Sequence, residues 1–355
     1  GGHRDLHSFP TRRSSDLDNL FTQFMDSVFS RVFKGHPMGH HNVIGLTEHL
    51  KNPRLSKMYD FFNTYYVANN MALIICGNFD VEKAKLLISE KFEQWPTRDL
   101  PEIKMPKAWE FKGREFMELR MLPIKVGLMA YRGVPLNHPD YQALSFANQI
   151  LSNQNSTGLF DNLRMENKIM SGQAIYMAMP DVSANLVLFI PKIVGQKLPD
   201  AEELVLGEIK KLKAGQFSDD LFQALKLEAR RRSILELESP DKRARMMIDA
   251  FVEGVSWQSK MEELKQIESL TKDQVVKAAN LYFGENRMVV FSKTGFPKKE
   301  KLAKPPYDPV IPKNTELDSE FAKTLKLAKD TIVAPKLIEF RSEEHTSELQ
   351  SPNTI

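Results

Sequence analysis

The chain has 355 residues, enough for about two domains, with 42% apolar residues and a net charge of +3 from 49 basic and 46 acidic side chains. The two signs are interspersed, which excludes a dedicated nucleic-acid or membrane-surface face, and no run approaches the roughly 18 apolar residues of a membrane span. A single cysteine, Cys76, excludes a disulfide framework within the chain.

Residues 1–17 and 341–355 are rich in Ser, Arg and Glu and lack the apolar rhythm of a helix or strand. Both resemble translated sequencing-adaptor read-through more than protein and are set aside from fold reasoning. Between them the pattern predicts a helix over 19–33, with Phe21, Met25, Val28 and Val32 at helical spacing, stopped by the turn-rich GHPMGHH. An aromatic-rich helix follows over 55–67, with Tyr59, Phe62 and Tyr66 on one side, then a buried strand over 71–76 that holds Cys76 as a small hydrophobe. Asp80 caps a last helix whose Val81, Ala84, Ile88 and Phe92 form a stripe up to Trp95-Pro96.

Residues 97–111 show no period and read as a linker. The next segment, 112–296, opens with strands over 115–121 and 124–130 and a helix starting at Pro139. Short segment 159–167 and strands over 172–179 and 184–190 follow. The chain then turns helical over 199–214 and through a long helix capped by Ser218, with Asp219 and Asp220 in its first turn and Pro240 at its end. Two or three more helices precede a closing strand at 288–291. This order predicts an α+β fold. Residues 297–340, with five prolines between 297 and 312 among lysines, read as a tether.

One phrase occurs twice. TYYVANNMALIICGNF at 64–79 matches NLYFGENRMVVFSKTGF at 280–296, with Tyr282 lying 216 positions after Tyr66 and Asn286 as far after Asn70. Glu48-His49-Leu50-Lys51 matches Glu262-Glu263-Leu264-Lys265 in the same way, two residues out of step. Such a repeat means a duplicated domain. The first copy of a domain that begins near Lys112 would start roughly a hundred residues before residue 1, so 18–96 reads as the back half of a first domain.

Candidate polar sites are few. His36, His40 and His41 crowd the GHPMGHH turn, but no carboxylate or thiolate accompanies them at metal-ligand spacing, so turn and surface roles are expected. His138 precedes Pro139 at a helix start and suits a capping or solvent role. Arg230, Arg231, Arg232, Lys242, Arg243 and Arg245 are interleaved with Glu228, Glu236 and Glu238 and read as a solvated helix face.

Three phrases together, HPMGHHNVIGLTEHLKN, TYYVANNMALIICGNFD and LSNQNSTGLFDNLRMENKIMSG, resemble the insulinase–pitrilysin family of zinc peptidases, M16, over about residues 18–340. The resemblance implies duplicated M16-type domains, each a mainly antiparallel sheet with helices packed on one face. It also implies a half-molecule that faces a second half across a closed chamber in which peptides are cut. The chemistry implied is an HxxEH motif on a first-domain helix: two histidines one turn apart hold Zn2+, and the glutamate polarises the attacking water. A further glutamate downstream completes the ligands.

This chain has no HxxEH. Its nearest approach, Glu48-His49, has Gly45 where the first histidine belongs. In the second domain, by resemblance, Ser145-Phe146-Ala147-Asn148-Gln149 occupies the place of the motif, and the helix over 218–239 that of the distal glutamate. The resemblance therefore implies the inactive-type twin, 112–296, with no catalytic or metal-ligating residue in this chain and Zn2+ confined to the full-length parent. The family also holds substrate through an arginine followed seven residues later by a tyrosine. Arg164 is the substrate-binding candidate here, although Ser171 stands seven positions on and the next tyrosine is Tyr176. The partners implied are a peptide substrate, captured by strand addition at a sheet edge, the missing front half of the first domain, and a second M16 half or partner subunit beyond the tether. No nucleic acid or membrane span is expected, and export from the cytoplasm is compatible with the resemblance. Two alternatives stand beside this one: a catalytically inactive M16-like structural or peptide-binding subunit, and an unrelated α+β binding protein that arose by duplication.

Overall fold

A computed structural model of the chain describes residues 19–40, 54–295 and 318–324. The chain divides into two compact units, 1–298 and 299–355. Of the second unit only 318–324 is described: a helical turn in which the Ser319 hydroxyl accepts the Ala322 N–H at 3.1 Å. Both adaptor-like ends, His41, the 48–51 phrase and most of the tether lie outside the described residues.

The first unit is built around a five-stranded sheet in the order β1-β5-β2-β4-β3, with β1 (Arg114–Leu122), β2 (Val126–Arg132), β3 (Ser171–Ala178), β4 (Ser183–Ile190) and β5 (Arg287–Thr294). Only β1 and β5 run parallel; the other neighbours are antiparallel, which matches the mainly antiparallel sheet expected. Side chains alternate between the two faces of a strand. Met129 and Tyr131 of β2, Val187 and Phe189 of β4 and Val289 and Phe291 of β5 therefore share one face. Against it pack α4 (Tyr141–Leu151), α6 (Leu198–Lys213) and α10 (Lys272–Tyr282), through Leu144, Ala147, Val205, Ile209, Val275 and Ala279. Beside them α5 (Leu159–Met165) packs on β3 through Phe160 and Leu163, and outside lie α7 (Asp219–Glu238), α8 (Pro240–Glu253) and α9 (Trp257–Ser269).

The other face carries Leu128, Ala130, Leu186, Leu188, Met288 and Val290, and it too is closed. Its cover is α1 (Leu20–Val32), whose N-terminus is fixed by Asn19 Oδ1 accepting the N–H groups of Phe21 and Thr22. Phe24, Val28 and Val32, one turn apart, are fully buried against the sheet, whereas Phe21 of the expected stripe points outward. The turn after α1 is locked as well. Gly35 has φ +88°, and a Cβ there would collide with the Trp109 ring, over which Lys34 Nζ sits at 4.3 Å. His36 is buried; its Nδ1 accepts the Met38 N–H at 3.3 Å, so the proton lies on Nε2, 3.1 Å from Asp181 Oδ2 in the β3–β4 turn. The turn role expected of this histidine is found, the surface role is not; His40 is exposed.

The first copy of the repeat looks different. Helix α2 (Leu55–Tyr65) and helix α3 (Val81–Phe92) form as expected, α3 with Asp80 Oδ1 accepting the Lys83 N–H at 3.0 Å. The expected buried strand over 71–76 is not found. The segment belongs to no strand, none of its residues is buried, and Cys76 is only half covered. The reason is physical: a strand exists through the ladder it shares with a neighbour, and no neighbour stands beside it among the described residues.

Geometry also moves the repeat by one position. Helix α2 ends at Tyr65, with cap residue Tyr66 at φ −90°, ψ 69°, and α10 ends at Tyr282, with cap residue Phe283 at φ −96°, ψ 59°. Asn69 Oδ1 accepts the Arg98 N–H at 3.2 Å, as Asn286 Oδ1 accepts the Gly113 N–H at 2.8 Å. Tyr65 therefore corresponds to Tyr282, Asn69 to Asn286 and Met71 to Met288, an offset of 217 rather than 216.

Candidate functional site

Helix α4 is the one that, by the resemblance, takes the place of the HxxEH helix. His138 opens it, with Nδ1 accepting the Asp140 N–H at 3.1 Å, and Asp140 is held by the Tyr282 hydroxyl at 2.7 Å. Its apolar residues face the sheet, and Asn148 is buried among them. Asn148 Nδ2 donates to Leu144 O at 2.9 Å and to Asn185 Oδ1 on β4 at 2.7 Å, while its own Oδ1 has no partner among the described residues. Asn185 passes the network on to Arg132 O at 3.3 Å. On the outer side of α4, Gln149 Nε2 donates to Ser145 Oγ at 3.4 Å.

Ser145 and Gln149 line a cavity of about 200 Å³ with Arg232 and Glu236 of α7 and with Lys260 and Glu263 of α9. Lys260 Nζ bridges Glu253 Oε2 at 2.7 Å and Glu263 Oε1 at 2.9 Å. Burial opposes the charge on this ammonium, and the hydrogen bonds to Glu253 and Glu263 overcome it and hold its pKa above the ordinary lysine value. The polar groups of this cavity are the hydroxyls of Ser145 and Ser233, the amides of Gln142 and Gln149, the cations of Arg232 and Lys260, and the carboxylates of Glu236 and Glu263, the last already paired with Lys260. Zinc takes imidazole, thiolate or free carboxylate in tetrahedral array, so these residues do not fit the metal that the motif's position implies. Among the described residues no group of three or more His, Cys, Asp or Glu could hold a metal ion.

Arg164 lies on α5, half exposed, 3.9 Å from Asp161 Oδ1. It lines an open cleft of about 500 Å³ with the 152–156 loop and residues 171–175 of β3. Tyr176 is not brought to it. Its hydroxyl donates to Val134 O at 2.6 Å, its ring packs on Tyr141 with centroids 5.5 Å apart, and burial pushes its pKa up. Strand β3 ends the sheet, but its outer edge is partly occupied: Ser152 Oγ accepts the Ala174 N–H at 2.7 Å, which blunts the edge for strand addition.

A family model described as the peptidase M16 inactive domain matches residues 54–228. The chain is 22% identical over 284 residues to the zinc protease PqqE of Helicobacter pylori, covering 77% of this chain and 61% of that protein. It is also 22% identical over 292 residues to the mitochondrial-processing peptidase subunit beta of Saccharomyces cerevisiae, covering 76% and 61%. Residues 54–228 belong to the M16 peptidase family. The M16 fold is shared with a crystallised peptidase M16 inactive domain from Pseudomonas fluorescens, at a TM-score of 0.69 and 15% identity over 83% of this chain and 70% of that one. The chain spans about three-fifths of the length of the curated relatives it matches. None of its described helices is long and apolar enough to cross a membrane.

The sequence reading passed over three features: the His36–Asp181 pair, the Lys260 bridge and the second closed face of the sheet. Only the last had a signal. VGLMAY and ANLVLFI are continuous apolar runs of the kind that both faces of a covered strand require.

Proposed function

We propose that this chain supplies non-catalytic wall to an M16-type zinc metalloendopeptidase. In this reading 18–96 is the back of the first, metal-bearing domain, 112–296 is its inactive-type twin, and 297–340 tethers them to a second half or partner subunit. Peptides are hydrolysed at a zinc site that other residues of the parent provide, inside a chamber that these elements help to close.

The contrast between the two copies of the repeat supports this reading. In the second copy Val275, Ala278, Ala279 and Met288 to Phe291 are buried. In the first, α2, α3 and the segment between them leave Leu55, Met58, Phe61, Phe62, Leu73 and Leu87 more than half exposed. Each large apolar side chain left in water forgoes roughly 1.5–3 kcal/mol, so this face is built to be covered by the rest of a first-domain sheet and its helices. Arg164 is placed by the same reading at the chamber wall. Its pair with Asp161 is loose, which leaves the guanidinium able to take a peptide carboxylate or carbonyl.

The test uses the 355-residue chain, a fluorogenic peptide mixture and zinc analysis, with and without a co-expressed polypeptide carrying an HxxEH helix and the front of the first domain from an M16 relative. The chain alone is expected to bind no stoichiometric zinc and to cleave nothing, and the pair to bind one zinc and cleave peptides. Tight stoichiometric zinc with chelator-sensitive peptidase activity in the chain alone contradicts the reading.

A further inference from the structure

A second cleft lies away from the HxxEH position, at the end of the sheet where β2 and β5 meet the C-terminal turns of α6. It has a volume of about 620 Å³ and is lined by Tyr131, Lys210, Lys213, Asn280, Glu285 and Arg287, among others. Two buried donors there lack an oxygen acceptor. Arg287 is 7% exposed; its Nη1 donates to Glu285, its Nη2 stands 3.9 Å from Glu202, and its buried Nε has no partner among the described residues. Tyr131 is 1% exposed, and among the described residues its hydroxyl meets only the Met129 thioether at 3.6 Å, a weak acceptor.

The two donors are close enough to feel each other. Burial pushes the Tyr131 phenol pKa up and the Arg287 charge opposes that push, so the hydroxyl keeps its proton at any physiological pH. A native protein seldom leaves buried donors unmade, because each has given up its hydrogen bonds to water without gaining others.

The charges agree in sign. The lining holds three cations, Lys210, Lys213 and Arg287, against one carboxylate, Glu285, which is 94% exposed on its side chain. Glu202, beneath the cleft, is engaged by Arg114 through contacts of 3.1 and 2.7 Å. The C-terminal carbonyls of α6, which would repel an anion, are capped: Lys213 O by Asn280 Nδ2 at 2.8 Å and Lys210 O by the Ala214 N–H at 3.0 Å.

We propose that this cleft is an oxyanion site that takes a phosphate or carboxylate group of a small acidic ligand, with Arg287 and Tyr131 as the inner donors and Lys210 and Lys213 at the mouth. The site is formed by β2, α6, α10, β5 and the turn between α10 and β5 and does not depend on zinc or on the peptidase reading. Loss of one hydrogen bond to a charged group weakens binding about tenfold.

Calorimetric titration of the 355-residue chain at constant ionic strength in sodium chloride tests it, with inorganic phosphate, pyrophosphate and citrate as probes. Saturable one-to-one binding of at least one probe is expected, weakened about tenfold or more in Lys210→Gln/Lys213→Gln and about tenfold in Tyr131→Phe. Tyr131→Phe removes a donor that has no oxygen partner in the free protein, so its urea midpoint should match that of the parent chain. Tighter pyrophosphate than citrate identifies the ligand group as phosphate, and the reverse order as carboxylate. No saturable heat with any probe, or binding that survives both variants unchanged, overturns the proposal.

Discussion

Phe24→Ala measures how far α1 is part of the core on the second face of the sheet. Phe24 is fully buried between α1 and the face formed by Leu128, Leu186, Leu188 and Val290. Truncation removes most of a phenyl side chain from an apolar site and leaves a cavity that a sheet cannot collapse to fill, a change that costs about 3–5 kcal/mol. Phe21→Ala is the matched control. It lies on the same helix, has the same intrinsic helix preference and is 51% exposed, so it should cost about 0.5 kcal/mol or less. With a urea dependence of about 3 kcal/mol per molar, Phe24→Ala lowers the midpoint by about 1–1.7 M, and Phe21→Ala by less than about 0.2 M. The assay is urea unfolding followed by circular dichroism. Equal midpoints for the two variants would refute the claim that α1 seals the sheet.

Lys260→Met leaves Glu253 and Glu263 facing each other and should cost about 1–3 kcal/mol at pH 7. Because the folded-state pKa of Lys260 is raised, its contribution is complete below the ordinary value of 10.5 and disappears only as pH climbs through the raised value; the stability difference between variant and parent, from urea midpoints, should therefore shrink only above about pH 10.5. Gly127→Ala drives a methyl into the Phe189 ring across the β2–β4 ladder and should cost about 1–3 kcal/mol, read from the thermal midpoint. Ser152→Ala takes the acceptor from the Ala174 amide, and hydrogen exchange at Ala174 should accelerate about tenfold while exchange at Val187 across the ladder stays unchanged.

Much of the fold was legible because its signals are local. The caps at Asp80 and Ser218 need only the side chain and the next turn, and the break at Pro240 needs only the chain itself. The alternation along Ile124, Val126, Leu128 and Ala130 marks a strand, but β2 is buried on both faces. What was misread depends on partners. Helix α1 offers two stripes that share Val28 and Val32, one through Phe21 and Met25 and one through Phe24, and only the sheet it packs on decides between them. Residues 71–76 have the composition of a buried strand, yet composition does not supply the adjacent strand. The one-residue error in the repeat arose because Tyr65-Tyr66 offers two tyrosines to match one, and only the helix ends and the Asn69 and Asn286 hydrogen bonds separate them. At the site, the unsuitability of Ser145, Asn148 and Gln149 for zinc was legible from residue type, whereas the ammonium of Lys260 beside them comes from a helix more than a hundred residues away.

Because α1 lies earlier in the chain than α2 and α3 but rests on the later sheet, the linear order of segments is not the order of folding partners. A shortened polypeptide beginning at Lys112 would carry all five strands and every helix from α4 to α10, yet present a bare oily wall of Leu128, Ala130, Leu186, Leu188 and Val290 to water. Such a product would be prone to self-association. A protease nick between 99 and 106, by contrast, should leave two pieces that stay together, clamped by Phe24 and by the His36–Asp181 bond.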